Sequence, residues 1–391
     1  MYQSNEEVMK MCKRGISLVL AWVLLLGAPV AVQAAELDIS APSAILMDVA
    51  TGTVLYEKNA DEKLEPASVT KVMTLLLVME ALDSGKIGWD DMVTASDAAA
   101  AKGGSQIYLE PGEQLCMEEM LKSVVVASAN DCATALAEHV AGSETAFVEL
   151  MNRRAQELGM VNTHFVNCTG LDDEPEAAEH LTTARDVAIM SRELLQHDEI
   201  RRFTTIWMDT VRDGKFGLSN TNKLVRFYDG TTGLKTGYTS TAGHCLSASA
   251  ERDGIELLAV VLHCDSSPHR FESAKALLDY GFANYALVNP DLDGPLEAIG
   301  VKLGVTSTVN PILSAGQPIL IDKSMQSSIT REVTMQEELE APVEQGQQLG
   351  TLSIRAGDRV LAEIPIVAED AVPRLTFWQV VKKLLSAVCM G

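Results

Sequence analysis

EPASVTKVMTLLLVMEAL, residues 65–82, is so apolar that as a helix it has to be buried, yet Ser68 and Lys71 sit in its first turn. Three residues apart, the two share one helix face. Val69, Val72, Met73, Leu75, Leu76, Val78 and Met79 surround the lysine on all sides. The helix dipole disfavours a cation at that end. Burying an ammonium costs several kcal/mol unless it is paired or gives up its proton. A desolvated lysine with a depressed pKa is a general base, and a serine within its reach is an activated nucleophile. The positive end of the helix adds a field where an oxyanion would develop. Taken alone, Ser68 also reads as an N-cap, and a Ser-x-x-Lys tetrapeptide is weak evidence.

Two further triplets carry the argument outward. Ser128-Ala129-Asn130 falls between helical segments at 117–126 and 131–141, where Ser and Asn also read as caps. Lys235-Thr236-Gly237 falls in a predicted strand, where the lysine alone would pass as a solvated side chain. A glycine inside a strand weakens it and marks close approach by a ligand. Ser-x-x-Lys, Ser-x-Asn and Lys-Thr-Gly in this order form a specific set.

The surrounding pattern is α+β. Residues 44–58 read as a hairpin, and 146–158 and 184–196 as amphipathic helices. GLKTGYTS (233–240), GHCLSASA (243–250) and IELLAVVLHC (255–264) read as strands, and 270–285 as a closing helix. A hairpin, a helical cluster, then strands and a packing helix predict a layered domain over 36–285. From 289 to 370 the texture becomes short alternating segments punctuated by Gly, Pro and Asp, which predicts a small β-sandwich. The tail, 373–391, returns to helix. Thr376, Gln379, Lys382, Lys383 and Ser386 fall on one arc, with Phe377, Trp378 and five aliphatic residues opposite, a pattern suited to the plane of a membrane interface.

At the other end, Lys10, Lys13 and Arg14 precede the apolar run 16–32, and Val32-Gln33-Ala34 offers a cleavage site. Residues 1–34 thus read as a secretory signal peptide, and the chain is expected outside the cell, on the outer face of the cytoplasmic membrane. The net charge of −23 argues against nucleic acid as a partner. Seven cysteines without a CxxC suggest neither a zinc site nor a disulfide framework. Cys245 and Cys264 fall on neighbouring strands. Folding at ERDG (251–254) pairs Cys245 with about residue 260, so free buried thiols are expected. The histidines form no HExxH, and no GxSxG surrounds Ser68, which argues against a zinc peptidase or a Ser-His-Asp hydrolase.

With these motifs in place, the chain resembles the low-molecular-mass penicillin-binding proteins. These are the serine D-alanyl-D-alanine carboxypeptidases of the DacF and penicillin-binding protein 5 type, peptidase family S11. PASVTKVMT, GSQIYLEPGE, VVVASANDCATALAE, NTHFVNCTGLDD and NTNKLVRFYDGTTGLKTGYTSTAGHCL carry the resemblance, as do the β domain and the terminal helix. It implies a β-lactamase/transpeptidase-like catalytic domain, the β-sandwich and an anchor helix. It implies hydrolysis of the terminal D-Ala-D-Ala bond of peptidoglycan stem peptides through an acyl-enzyme, acylation by β-lactams, and no metal or cofactor. On the matching positions, Ser68 is the nucleophile and Lys71 its base. Ser128 relays a proton to the leaving D-alanine, and Asn130 holds the substrate amide and the Lys71 amine. Lys235 and Thr236 bind the terminal carboxylate with Arg270 nearby, Gly237 lets substrate lie on the strand, and the Ser68 and Tyr238 N–H groups form the oxyanion hole. Two departures stand out: Ala129 in the middle of Ser-x-Asn, and a lengthened 173–183 segment around His180. Two other readings have some footing. A β-lactamase is hinted at by Glu174-Pro175-Glu176, although no Leu-Asn follows; the other is a wall-binding protein with a vestigial site.

Overall fold

The computed structural model describes residues 37, 39–173, 175–292 and 294–389. The expected signal peptide, 1–34, lies outside the described residues, as does Glu174. Strands β1 (Ser43–Asp48) and β2 (Val54–Lys58) form the expected hairpin. Far along the chain, β3 (Thr231–Thr239), β4 (Gly243–Arg252) and β5 (Ile255–Cys264) join it in an antiparallel sheet of order β2-β1-β5-β4-β3. The strand bearing Lys-Thr-Gly is therefore an edge.

The β4–β5 register corrects one expectation. Asp253 and Gly254, at φ 51° and 78°, make a two-residue turn that sets Arg252 opposite Ile255. The ladder runs on to Leu246 opposite Val261, and then a bulge brings His244 opposite Cys264. Cys245 falls in the bulge instead of pairing with residue 260. Both it and Cys264 are buried free thiols.

The sheet is covered on both faces because its strands are apolar on both. Helix α1 (Lys71–Asp83) lies in a cluster with α2 (Met117–Val126), α3 (Asn130–Ala141), α4 (Glu144–Glu157) and α5 (Ala184–Leu194). This cluster shares one core with Ile45, Met47, Leu258, Val260 and Leu262 of the sheet. Helix α6 (Ser267–Asn284) covers the other face, so closely that a Cβ on Gly281 would lie 2.3 Å from Leu257. Eleven of the thirteen residues of α1 are buried. Its low amphipathicity is that of a central helix, packed all round.

The expected end of the last catalytic helix is a strand instead: Tyr285–Val288 pairs with Ile319–Asp322. Beyond it lie two sheets. One has the order Pro311–Leu313, Arg359–Ala368, Gln348–Ala356, Ile329–Met335, and the other Thr308–Val309, Ile299–Lys302, Glu338–Glu340. Leu352, Ile354, Ile364 and Ile366 fill one core of this all-β region, and Ile299, Val301, Leu339 and Leu349 another. Its backbone pairing runs past residue 370: Val343 bridges Val372, Gly304 bridges Arg374, and Leu375 N donates to Leu303 O. Helix α7 (Phe377–Cys389) follows at once.

Candidate active site

Ser68 does not cap an α-helix. It stands inside a 3-10 turn, Ala67–Thr70, that runs directly into α1 with Lys71 as the first α-helical residue. Ala67 is held in the left-handed region at φ 47°, a strain of the kind that gathers at functional sites. Lys71 is fully buried, and its Nζ has three partners: Ser68 Oγ at 2.9 Å, Asn130 Oδ1 at 2.5 Å and the Thr169 carbonyl at 2.8 Å. Burial lowers the amine's pKa to about 7, against weaker upward pulls from Cys168 and Asp131.

The chemistry of these partners fixes the lone pair. Asn130 Nδ2 donates to Gly103 O at 2.7 Å, which turns Oδ1 toward the lysine. Oδ1 and the Thr169 carbonyl can only accept. A neutral amine has two hydrogens, and these two acceptors take both. Its lone pair then faces Ser68, whose O–H is the one group of the three able to donate. The hydroxyl of Ser68 and the amine of Lys71 are thus aligned hydrogen to lone pair.

The second motif enters from the turn between α2 and α3. Ser128 is buried with φ 63°, and Asn130 N donates to Ser105 O at 2.7 Å. The third enters on β3. A Cβ built on Gly237 would lie 2.6 Å from Pro66 O and 3.1 Å from Ser68 N, so only glycine lets the edge strand lie against the serine. Lys235 is buried, and its Nζ donates to Thr236 O at 2.8 Å. Burial, with Lys71 and Arg270 nearby, pushes its pKa well below the ordinary lysine value. Thr236 Oγ1 donates to Thr221 Oγ1 at 2.7 Å. Arg270 Nη1 donates to Gly237 O at 3.0 Å, so this buried guanidinium is fixed to the back of the strand. The Tyr238 ring is exposed and stacks on His244 with centroids 4.3 Å apart, leaving its N–H as its means of reaching the site.

The fold thus brings all three motifs together. It adds four residues that no side-chain pattern had flagged: Thr169, Thr221, Asp131 and His180. Thr169 acts through its carbonyl and so leaves no residue-type signal. Asp131, buried at the start of α3, accepts from Ile107 N and Leu109 N at 3.1 and 3.0 Å and so secures the segment that carries Gly103 and Ser105.

Residues 30–266 match the family model described as D-alanyl-D-alanine carboxypeptidase, and 294–374 match that of the C-terminal domain of penicillin-binding protein 5. The chain is 42% identical to the D-alanyl-D-alanine carboxypeptidase DacF of Bacillus subtilis, over 90% of each chain.

The chain belongs to the D-alanyl-D-alanine carboxypeptidase family, peptidase S11.

Penicillin-binding protein 5 of Haemophilus influenzae has a similar structure, with a TM-score of 0.69 and 30% identity over 86% of this chain and 98% of that one. Penicillin-binding protein D2 of Listeria monocytogenes, solved in an ampicillin-bound form, matches at 0.58 and 32% over 63% of this chain and 99% of its own. Within this family frame, half-buried Ser68, buried Lys71 and the Lys-Thr-Gly strand meet in one cluster. Three basic side chains, Lys71, Lys235 and Arg270, concentrate there in a chain of net charge −23.

Proposed function

We propose that this carboxypeptidase hydrolyses the terminal D-Ala-D-Ala bond of peptidoglycan stem pentapeptides through an acyl-enzyme on Ser68. The observation that carries the reading is the fully buried Lys71 amine, 2.9 Å from Ser68 Oγ and held on its other sides by Asn130 Oδ1 and the Thr169 carbonyl. Lys71 takes the Ser68 proton as Oγ bonds to the carbonyl carbon between the two D-alanines. The oxyanion forms at the Ser68 and Tyr238 N–H groups. The carbon–nitrogen bond then breaks, and the departing amine receives a proton by way of Ser128. Water hydrolyses the ester and restores Ser68.

The terminal carboxylate binds Lys235 and Thr236, with Arg270 behind them. Burial disfavours the Lys235 ammonium in the free enzyme, and an arriving carboxylate stabilises it. β-Lactams present a similar acyl group to the same groups and acylate Ser68. The protein is a secreted one, held at the outer face of the cytoplasmic membrane by α7.

The test is release of D-alanine. The protein freed of residues 1–34 is incubated with a D-Ala-D-Ala pentapeptide, with Ser68→Ala as control. Release by the parent and none by the variant is expected. Equal release by both would refute the serine mechanism. Rapid multiple turnover of a chromogenic cephalosporin, in place of stoichiometric acylation, would point to a β-lactamase. Binding to sacculi without D-alanine release would point to a vestigial site.

A further inference from the structure

We infer that His180 is a positioning residue for the acylation step. Through Thr70 it holds the 166–170 loop so that the Thr169 carbonyl takes one hydrogen of the Lys71 amine. The inference rests on the serine–lysine reading above.

His180 is buried, and both of its ring nitrogens are committed. Val166 N–H donates to Nδ1 at 3.2 Å, so the ring proton resides on Nε2, which donates to Thr70 Oγ1 at 2.8 Å. Burial holds the ring neutral, with its pKa lowered to about 4. One imidazole therefore joins the backbone of the 166–170 loop to the residue immediately before Lys71.

The loop lies on the catalytic turn at contact distance. A Cβ on Gly170, which has φ 80°, would fall 1.9 Å from Ala67 O and 2.7 Å from Thr70 Oγ1. Asn167 Oδ1 shapes the loop from within, accepting from Thr169 N at 3.1 Å and Gly170 N at 2.7 Å. Thr74 Oγ1, one helical turn beyond Thr70, donates to Cys168 O at 2.6 Å. Thr70, Lys71 and Thr74 thus meet the loop side by side, and His180 ties Thr70 to the Val166 end of it.

The consequence for the reaction follows from the hydrogen count. Two obligate acceptors orient the amine and leave its lone pair for Ser68. If the Thr169 carbonyl drifts, one hydrogen is released and the amine can rotate away from the serine. Misplacement by about an ångström costs a reacting pair on the order of a hundredfold in rate. A histidine that served only packing would lower stability and leave the rate per folded molecule unchanged. The charged and titratable groups facing Lys71 are Asp131 from α3, Cys168 from the loop, Lys235 from β3 and His180 itself. Thr70→Val leaves all of them in place, and His180→Ala removes only a ring that burial already holds neutral.

Stopped-flow acylation by benzylpenicillin separates the binding constant of the initial complex from the acylation rate constant. The enzymes are the parent, His180→Ala, His180→Gln, Thr70→Val and the His180→Ala/Thr70→Val pair. The expected loss is about ten- to hundredfold in the rate constant for His180→Ala and Thr70→Val, with the binding constant within about twofold. The double variant is no slower than either single one, and His180→Gln, which keeps a donor toward Thr70, recovers part of the rate. The pH midpoint of the rate constant rises in the slow variants as the amine becomes better hydrated. An unchanged rate constant in folded Thr70→Val, or additive losses in the pair, would overturn the inference. Thr70→Val is nearly isosteric and carries the test if His180→Ala does not fold. Ser68→Ala separates the two claims: if it still acylates, the serine reading fails, whereas an inert Ser68→Ala beside a fully active Thr70→Val defeats this inference alone.

Discussion

Lys71 gains reactivity from a position that costs the fold stability. Its neutral form is the active one, so acylation by benzylpenicillin should rise with pH through a midpoint at about 7 and fall roughly tenfold per unit below it. Lys71→Arg, whose guanidinium keeps its proton, should lose at least about a thousandfold in rate. The stability effect has a definite sign. The folded pKa of about 7 lies below the ordinary 10.5, so between those values the unfolded chain binds more protons and stability climbs with pH. Lys71→Met should therefore lose this pH dependence, so its melting temperature relative to the parent is highest at low pH. The pH-dependent part of the difference is full below about pH 7 and vanishes by about 10.5, as differential scanning calorimetry across that range would reveal. Gly237 has the opposite character, a residue whose value lies in what is missing. In Gly237→Ala the new Cβ would press on the Pro66 carbonyl at 2.6 Å, which is backbone and cannot rotate aside. The edge strand must move off Ser68. A destabilisation of about 1–3 kcal/mol and a loss of acylation of about a hundredfold are expected, read from denaturant melts and stopped flow.

At the scale of elements, the segment 103–109 illustrates how a loop without regular structure becomes part of a catalytic site. Gly103 O and Ser105 O receive Asn130, while Asp131 grips Ile107 and Leu109. In Asp131→Asn an amide N–H must face one of the N–H groups that the carboxylate accepted. That costs about 1–3 kcal/mol. Faster hydrogen exchange at Ile107 and Leu109 is expected, together with slower acylation. Its pH midpoint moves below about 7, because Asp131 is one of the anions that favour the Lys71 proton. Unchanged exchange at both amides would reject the tether. The elements that position the site were readable wherever period and punctuation agreed: the 43–58 hairpin, the three long strands, and helices such as Met117–Val126. Lys71 was readable because it breaks a local rule, and Ser68 and Asn130 because they complete an ordered set of motifs with it. What stayed hidden depends on backbone geometry. The 3-10 start before α1, the bulge at Cys245, the Thr169 carbonyl and the His180 contact 110 residues from Thr70 leave no trace in residue type or spacing.

Over the whole molecule the net charge of −23 decides how such a protein can approach a lipid surface. Its overall charge opposes an anionic surface, so the attachment proposed above leans on apolar insertion. Under the attachment proposed above, α7 is the element that inserts. Phe377, Trp378 and Leu385 are 72%, 77% and 61% exposed, and each contributes about 1.5–3 kcal/mol when removed from water. At about 1.5 Å per residue, its thirteen residues fall short of the roughly 30 Å of a bilayer core, which fits a helix lying in the interface. Its start is sharply defined. Thr376 N and Oγ1 both donate to Gln379 Oε1, and the chain just before is fixed to the β region by Leu375 N and by the Arg374–Glu340 ion pair. A chain ending at Thr376 should therefore keep its fold and its benzylpenicillin acylation rate within about twofold while ceasing to cosediment with phosphatidylglycerol vesicles. In the full chain, Phe377→Glu/Trp378→Glu should weaken that cosedimentation by at least about tenfold, and raising salt should not. Salt-sensitive binding, or vesicle binding retained by the shortened chain, would show that some other surface makes the attachment.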